Sequence, residues 1–230
     1  RIVMTLGREV STKGSTFTIR RFRDEPFTPV DLLEFKTFSS MQIAFFWLAM
    51  QYGMSMLFVG GTASGKTTSL NACSLFLPWQ HKIVSIEETR ELNLPHPNWI
   101  PGCTRQGFGG ESAGSGEKAG SGEKAAGEVD MYDLLRAALR ERPEYIIVGE
   151  IRGAEAYVLF QAMATGHTTY STFHADSIQS LVHRLENKPI EIPRVLIPAL
   201  DGISIQIQTR VGGKRVRRNK GIIEIIGIDP

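Results

Sequence analysis

Gly60, Gly65, Lys66 and Thr67 occupy the four specified places of the pattern G-x-x-x-x-G-K-[S/T], in the run GGTASGKT. Glycines there let the backbone take conformations that a side chain would forbid, so that successive N–H groups converge on phosphate oxygens at the start of a helix. The partial positive charge of that helix end adds to the attraction. A lysine directly after the last glycine brings a full charge to the β and γ phosphates, and the next hydroxyl can ligate Mg²⁺. The chemistry this predicts is the binding and hydrolysis of a nucleoside triphosphate, with Gly60, Thr62, Ala63, Ser64, Gly65, Lys66, Thr67 and Thr68 as nucleotide contacts. The competing reading is a glycine-rich turn beside a surface lysine. The strand text MLFVG before the run and the helical text after it favour the phosphate loop.

Hydrolysis also needs an acid that organises the attacking water and carboxylates that hold the hydration shell of the metal. The apolar run Tyr145 to Gly149 is followed by Glu150, and Lys82 to Ile86 by Glu87 and Glu88. In an open parallel sheet ligands sit outside the carboxyl ends of the strands, so acids after two different strands can meet at one site. Against this, Glu150 reads as an acid near a helix start and Glu87 as a surface acid before a turn; the strand-end position favours a site role for both. His174 ends the run Thr168 to Phe173 and can donate a hydrogen bond to a phosphate or a carboxylate, while His167, before that run, is balanced between a site role and a plain polar one. Arg105, Arg136, Arg140, Arg142 and Arg152 each read, taken alone, as solvated surface groups. A transferred phosphoryl group commonly receives an arginine, in cis or from a neighbouring subunit, so at least one of them is expected to serve.

The elements that must position these groups follow from periodicity. Residues 2–22 alternate around Lys13-Gly14-Ser15 and predict a hairpin belonging to a preceding domain. Thr28 and Pro29 read as N-cap and first residue of a short helix; a second, roughly Ser40 to Tyr52, places Ile43, Trp47 and Met50 on one stripe and ends at Gly53. Short apolar runs then alternate with helical text, which predicts a largely parallel, doubly wound α/β sheet. Three helices carry one apolar face each: Met131, Leu134, Leu135, Ala138 and Leu139; Ala156, Leu159, Phe160 and Met163; Ile178, Leu181, Val182 and Leu185. Between the first strands and these helices, residues 113–124 read AGSGEK twice, and a mobile surface loop is expected over 109–127.

With 230 residues, 42% apolar and 22% charged, the chain can bury one sizeable core and a small appendage, not two full enzyme domains. The net charge of +2 hides basic ends (Arg20, Arg21 and Arg23; Lys214, Arg215, Arg217, Arg218 and Lys220) around a more acidic middle. Neither end is basic enough to imply nucleic-acid binding. Cys73 and Cys103, without C-x-x-C spacing, indicate neither a disulfide framework nor a zinc site and fit a reducing cytoplasm. The apolar run Ile43 to Met50 is far shorter than the roughly 20 residues of a spanning helix, and a soluble protein able to dock on a membrane is expected. The chain opens and closes in strand-like text and reads as an excised fragment.

Four blocks in order, GGTASGKT, IEETRELNLPH, RPEYIIVGEIRG and TGHTTYSTFHADS, resemble the secretion ATPases that power type II secretion, type IV pili and the archaeal flagellum, most closely their archaeal branch. The resemblance implies a RecA-like P-loop core over 28–230, truncated at its C-terminal end, with residues 1–27 as trailing strands and linker of an N-terminal domain. It implies a cytoplasmic homohexamer at the inner face of the membrane, using ATP and Mg²⁺ and working on an integral-membrane platform protein and, through it, on pilin-like or filament subunits. Carried over by position, Lys66 and Thr67 take phosphate and Mg²⁺, Glu150 is the acid after the second motif strand and a metal ligand through water, Glu87 is the acidic-box carboxylate, and His174 the histidine-box contact. Motif order leaves open which of Glu87 and Glu150 polarises water; Glu150 is favoured, with Glu87 assisting. The acidic box departs from the family pattern by reading Glu-Glu-Thr-Arg, which adds Arg90 as a candidate phosphate or interface residue. The AGSGEK repeat is no part of that pattern.

Two rivals share the core. A helicase or nucleic-acid translocase would use the run KRVRRNK, but Trp79 and Trp99 lie beside prolines in loop-like text rather than in a basic stacking stripe. A nucleotide-sensing module without turnover is disfavoured by the presence together of Lys66, Glu87, Glu150 and His174.

Overall fold

The computed structural model describes residues 2–7, 12–19, 25–107 and 127–227. The expected loop over 109–127 lies outside them save for Gly127, as do Arg20, Arg21 and Arg23. Two strands, β1 (Ile2–Thr5) and β2 (Thr16–Ile19), form the expected hairpin, pairing Ile2 with Ile19 and Thr5 with Thr16. Helix α1 (Pro29–Glu34) starts in a capping box, in which the Thr28 hydroxyl accepts from the Asp31 amide and the Asp31 carboxylate accepts from the Thr28 amide. Helix α2 (Ser40–Gln51) starts the same way with Ser39 and Gln42. Each such cap contributes about 1 kcal/mol.

The main sheet then begins with β3 (Met56–Gly60), followed by α3 (Lys66–Cys73), β4 (Ile83–Glu87), β5 (Trp99–Cys103), α4 (Met131–Arg140), β6 (Tyr145–Val148), α5 (Glu155–Ala164), β7 (Thr168–Phe173), α6 (Ile178–Glu186), β8 (Gly202–Val211) and β9 (Lys214–Glu224). Its order is β5-β4-β6-β7-β3-β8-β9. Every pairing is parallel except the closing hairpin of β8 with β9.

Alternation along β3 decides the layers. Leu57 and Val59 point into a core shared with Leu135 of α4, Leu159 of α5 and Leu181 of α6. Met56 and Phe58 point the other way, onto Leu32 of α1, Phe46 and Met50 of α2 and Leu70 of α3. All five residues of β3 are buried, as a strand covered on both faces by helices requires. Phe46 and Phe58 stack with centroids 5.4 Å apart, so α2 grips the strand that carries the phosphate-loop sequence.

Two expectations are corrected. Trp47 does not share the buried stripe of α2: it is 55% exposed and stacks on Phe76, while Phe46 and Ala49 are buried beside Ile43 and Met50. Because α2 is apolar nearly all round, spacing alone could not select its inward face. Trp99 lies in a strand, not a loop; β5 is an edge strand, where Pro101 can be tolerated without its N–H.

Gly60 closes β3 against β8, where a Cβ would stand 2.2 Å from the Gln206 carbonyl oxygen and 2.6 Å from Ser64 Oγ. Gly61 has nothing within 4 Å of the same position. Gly60→Ala is therefore expected to destabilise the fold by about 1–3 kcal/mol or more, and Gly61→Ala by less than about 0.5 kcal/mol. Urea unfolding of the two variants checks the contrast.

Candidate functional site

Parallel register brings the carboxyl ends of the central strands to one level: Val59 pairs with Phe173, Ile86 with Val148, and Val148 with Ser171. Beyond them opens a cleft of about 720 Å³. Its walls include Thr62, Ala63, Gly65, Lys66, Thr67 and Thr68 after β3, Glu87 and Glu88 at β4, Glu150 and Arg152 after β6, and His174 after β7. The groups singled out on separate strands thus meet in one place.

The loop after β3 has positive φ at Ala63 (60°) and Gly65 (97°), the alternation of hands from which amide nests are built. No side chain caps α3, which leaves its first amides to the cleft. Gly60 and Ser64 do not line the cleft. Gly60 packs on β8, and buried Ser64 donates from Oγ to the Gly61 carbonyl at 2.8 Å, bracing the loop from beneath. Lys66 donates from Nζ to the same carbonyl at 3.0 Å. Burial holds its pKa below the ordinary lysine value, with Glu150 opposing and Arg152 reinforcing the shift.

Glu87 is 2% exposed. Its Oε1 accepts from the amides of Glu91 and Leu92 at 2.9 and 3.0 Å, while Oε2 has no hydrogen-bond partner among the described residues. Burial pushes its pKa up, beyond what the two amides pull back. Glu150 is clasped from two sides. Arg152 pairs with its Oε2 and stands 3.5 Å from Glu88, and His174 Nε2 stands 2.9 Å from its Oε1. That second contact has ion-pair distance but not hydrogen-bond geometry, so Oε1 keeps free acceptor capacity. Burial lowers the His174 pKa, helped by Lys66 and opposed by Glu150. The carbonyl of His174 accepts from Arg184, and Thr172 Oγ1 donates to the Gly149 carbonyl at 2.7 Å, tying β7 to the turn that carries Glu150.

The remaining predicted groups are dispersed. Arg152 alone of the arginine candidates lines the cleft. Arg90 lies over the Trp99 ring at 5.1 Å, Arg105 donates to the Gly127 carbonyl, Arg136 lies over Tyr132, and Arg140 sits exposed in the last turn of α4. His167 stands before β7, at the opposite end of that strand from His174. Arg217 on β9 was missed as a site residue: it lines the cleft and donates from Nε to the Ala63 carbonyl at 3.0 Å. Its run read only as a basic tail, and its side of the strand depends on a register shift at Ile205/Gln206 that spacing does not reveal.

The sequence model of the type II/IV secretion system proteins matches residues 8–212. The chain belongs to the type II/IV secretion system protein family. MJ1287 of Methanocaldococcus jannaschii is 46% identical over 202 residues, covering 88% of this chain and 70% of that protein. This accords with the archaeal branch expected from the motifs. The type IV secretion system protein PtlH of Bordetella pertussis is 33% identical over 189 residues, 76% of this chain and 51% of PtlH. Among solved structures, the VirB11 ATPase of the Brucella suis type IV secretion system, in complex with sulphate, superposes with a TM-score of 0.63 at 25% identity, covering 90% of this chain and 61% of that one. The pilus retraction motor PilT with bound ADP shares the fold, with a TM-score of 0.63 at 21% identity over 97% of this chain and 63% of PilT. The chain spans about half of PtlH and 38% of a second M. jannaschii relative, MJ0900. Within this secretion family the RecA-like, mostly parallel sheet expected from the motifs is thus the shared frame.

The burial of Glu87 has a consequence for stability. A raised folded-state pKa means that the unfolded chain releases its proton first as pH rises, so the ionised group costs stability at neutral pH and nothing below the ordinary carboxylate range. Glu87→Gln keeps an acceptor for the two amides and removes that dependence. The stability of the Gln variant relative to the parent is expected to increase from pH 4 to pH 7, read by denaturant unfolding at both; a pH-independent difference would contradict the buried-carboxylate account.

Proposed function

We propose that this chain is the ATP-hydrolysing core of a secretion-type motor. The observation that carries the reading is the meeting of Lys66 and Thr67 with Glu87, Glu150 and His174 in one cleft at the carboxyl ends of four parallel strands. The loop amides and Lys66 hold the phosphates. Family membership and the likeness to the VirB11 ATPase support the same activity.

Magnesium fits these residues in the manner of phosphate sites, with few protein ligands and several waters. The Thr67 hydroxyl would be its protein ligand, and the unpartnered Glu87 Oε2 and Glu150 Oε1 would offer acceptors to its waters. Among the described residues no cluster of three or more His, Cys, Asp or Glu side chains could hold a metal ion by itself. When bound, the ion neutralises charge on the phosphate oxygens.

Within the chain, Glu150 orients the attacking water, its position fixed by Arg152 and flanked by His174, with the unpartnered Glu87 oxygen as second acceptor. His174 stands where it can donate toward the carboxylate or the γ-phosphate. Arg152 is committed to Glu150 and Glu88, so Arg90, Arg105, Arg136 and Arg140 are left to act across a subunit boundary. The reading extends to a homohexamer with ATP between subunits, in which residues 28–230 are the core and the β1–β2 hairpin ends a preceding domain that moves against it. Among the described residues no helix is long and apolar enough to cross a membrane. Work on pilin-like or filament subunits would pass through an integral-membrane platform protein at the cytoplasmic face.

In the full-length protein, Glu150→Gln is expected to lower ATP turnover by about 10²–10⁴-fold while ATP still binds. Lys66→Ala should weaken nucleotide binding as well as turnover. Steady-state phosphate release and equilibrium nucleotide binding separate the two; a parent protein with no ATPase activity, matched by its Lys66→Ala variant, would sink the proposal.

A further inference from the structure

The catalytic groups occupy one flank of the cleft only. Glu87, Glu150 and His174 follow β4, β6 and β7, on one side of β3 in the sheet; on the other side stand β8 and β9. At about 4.8 Å per strand, β9 lies roughly 10 Å from β3 and roughly 19 Å from β6. Arg217 reaches back across that distance. A Cβ on Gly65 would meet its Cδ at 3.0 Å, so its stem lies over the phosphate-loop sequence, and its Nε donates to Ala63 O at 3.0 Å. The Ala63 contact ties the guanidinium to the backbone of the loop. Among the described residues its two terminal nitrogens meet no acceptor, although the side chain lines the cleft.

We infer that Arg217 is the wall against which the nucleoside end of the nucleotide rests. This deepens the proposed ATP site and depends on it. With the transferred phosphate drawn toward Glu150, an extended nucleotide runs along the loop toward β8 and β9, and its base arrives at Arg217. A guanidinium fixed through Nε presents a flat cationic face that stacks on a purine ring, and free N–H groups for ribose hydroxyls. Lys66 supplies charge to the phosphates; Arg217 supplies a surface to the nucleoside. The residue acts in its own subunit, unlike an arginine finger, and bears on affinity rather than on the transferred phosphate.

The test is calorimetric titration of the full-length protein and its Arg217→Ala variant with ADP and with inorganic tripolyphosphate, which carries the phosphates but no nucleoside. The variant is expected to bind ADP about tenfold more weakly, equivalent to 1.4 kcal/mol, and tripolyphosphate within twofold of the parent. The KM for ATP should rise about tenfold while kcat moves less than threefold. An ADP affinity within twofold of the parent overturns the inference. So does an equal loss for tripolyphosphate, which would make Arg217 a brace for the loop, or a fall in kcat at constant KM. A parent protein that fails to bind ADP overturns the nucleotide site itself, a separate and visible result.

Discussion

The parallel pairing of β3 with β7 on one side and β8 on the other is the constraint on which the site depends. Parallel strands share a direction, so the segments that leave them emerge at one edge and need no long-range guidance to meet. Gly60 sets how closely that edge can close, since the Gln206 carbonyl occupies the space a side chain would take. The loop after β3 is then presented to Glu87, Glu150 and His174 by backbone geometry before any side-chain interaction is made.

That frame is held from both faces. Phe58 and Met56 are gripped by α1, α2 and α3, while Leu57 and Val59 are covered by α4, α5 and α6. Fully burying a side chain of this size is worth about 1.5–3 kcal/mol, and the strand spends none of its positions on solvent. The polar site can therefore carry local costs, including two buried carboxylate oxygens without hydrogen-bond partners. Stability resides in the strands and helix faces, and chemistry in the turns beyond them.

What was legible in the sequence follows this division. β3 was read to the residue as an apolar run ending in glycine and β7 as a run of threonine and aromatic residues between two histidines, and α4, α5 and α6 because their apolar spacing is helical. That Glu87, Glu150 and His174 come together in one cleft was legible because a strand end in a parallel sheet is a place as well as a pattern. The inward face of α2 was not, since its composition offers no polar side to mark the outside. Nor was β5, whose Pro101 reads as a loop unless the strand is known to be an edge. Arg217 was hidden for a third reason: its place beside Gly65 is created by strand order and by the register shift on β8, both non-local.

Glu87 and Glu150 show how one site gives two carboxylates different characters. Glu150 is partnered by Arg152 and flanked by His174, so its charge is balanced within the chain. Glu87 is buried and held by two amides on one oxygen only, and its ionisation is resisted by the surroundings. A buried acceptor left open costs stability wherever it serves no ligand. The fold holds Glu87 through the Glu91 and Leu92 amides while Oε2 stays buried without a hydrogen-bond partner among the described residues. The two differ, then, in how their charge is met: Glu150 by a paired cation, Glu87 by two backbone amides on one oxygen while the other stays unpartnered.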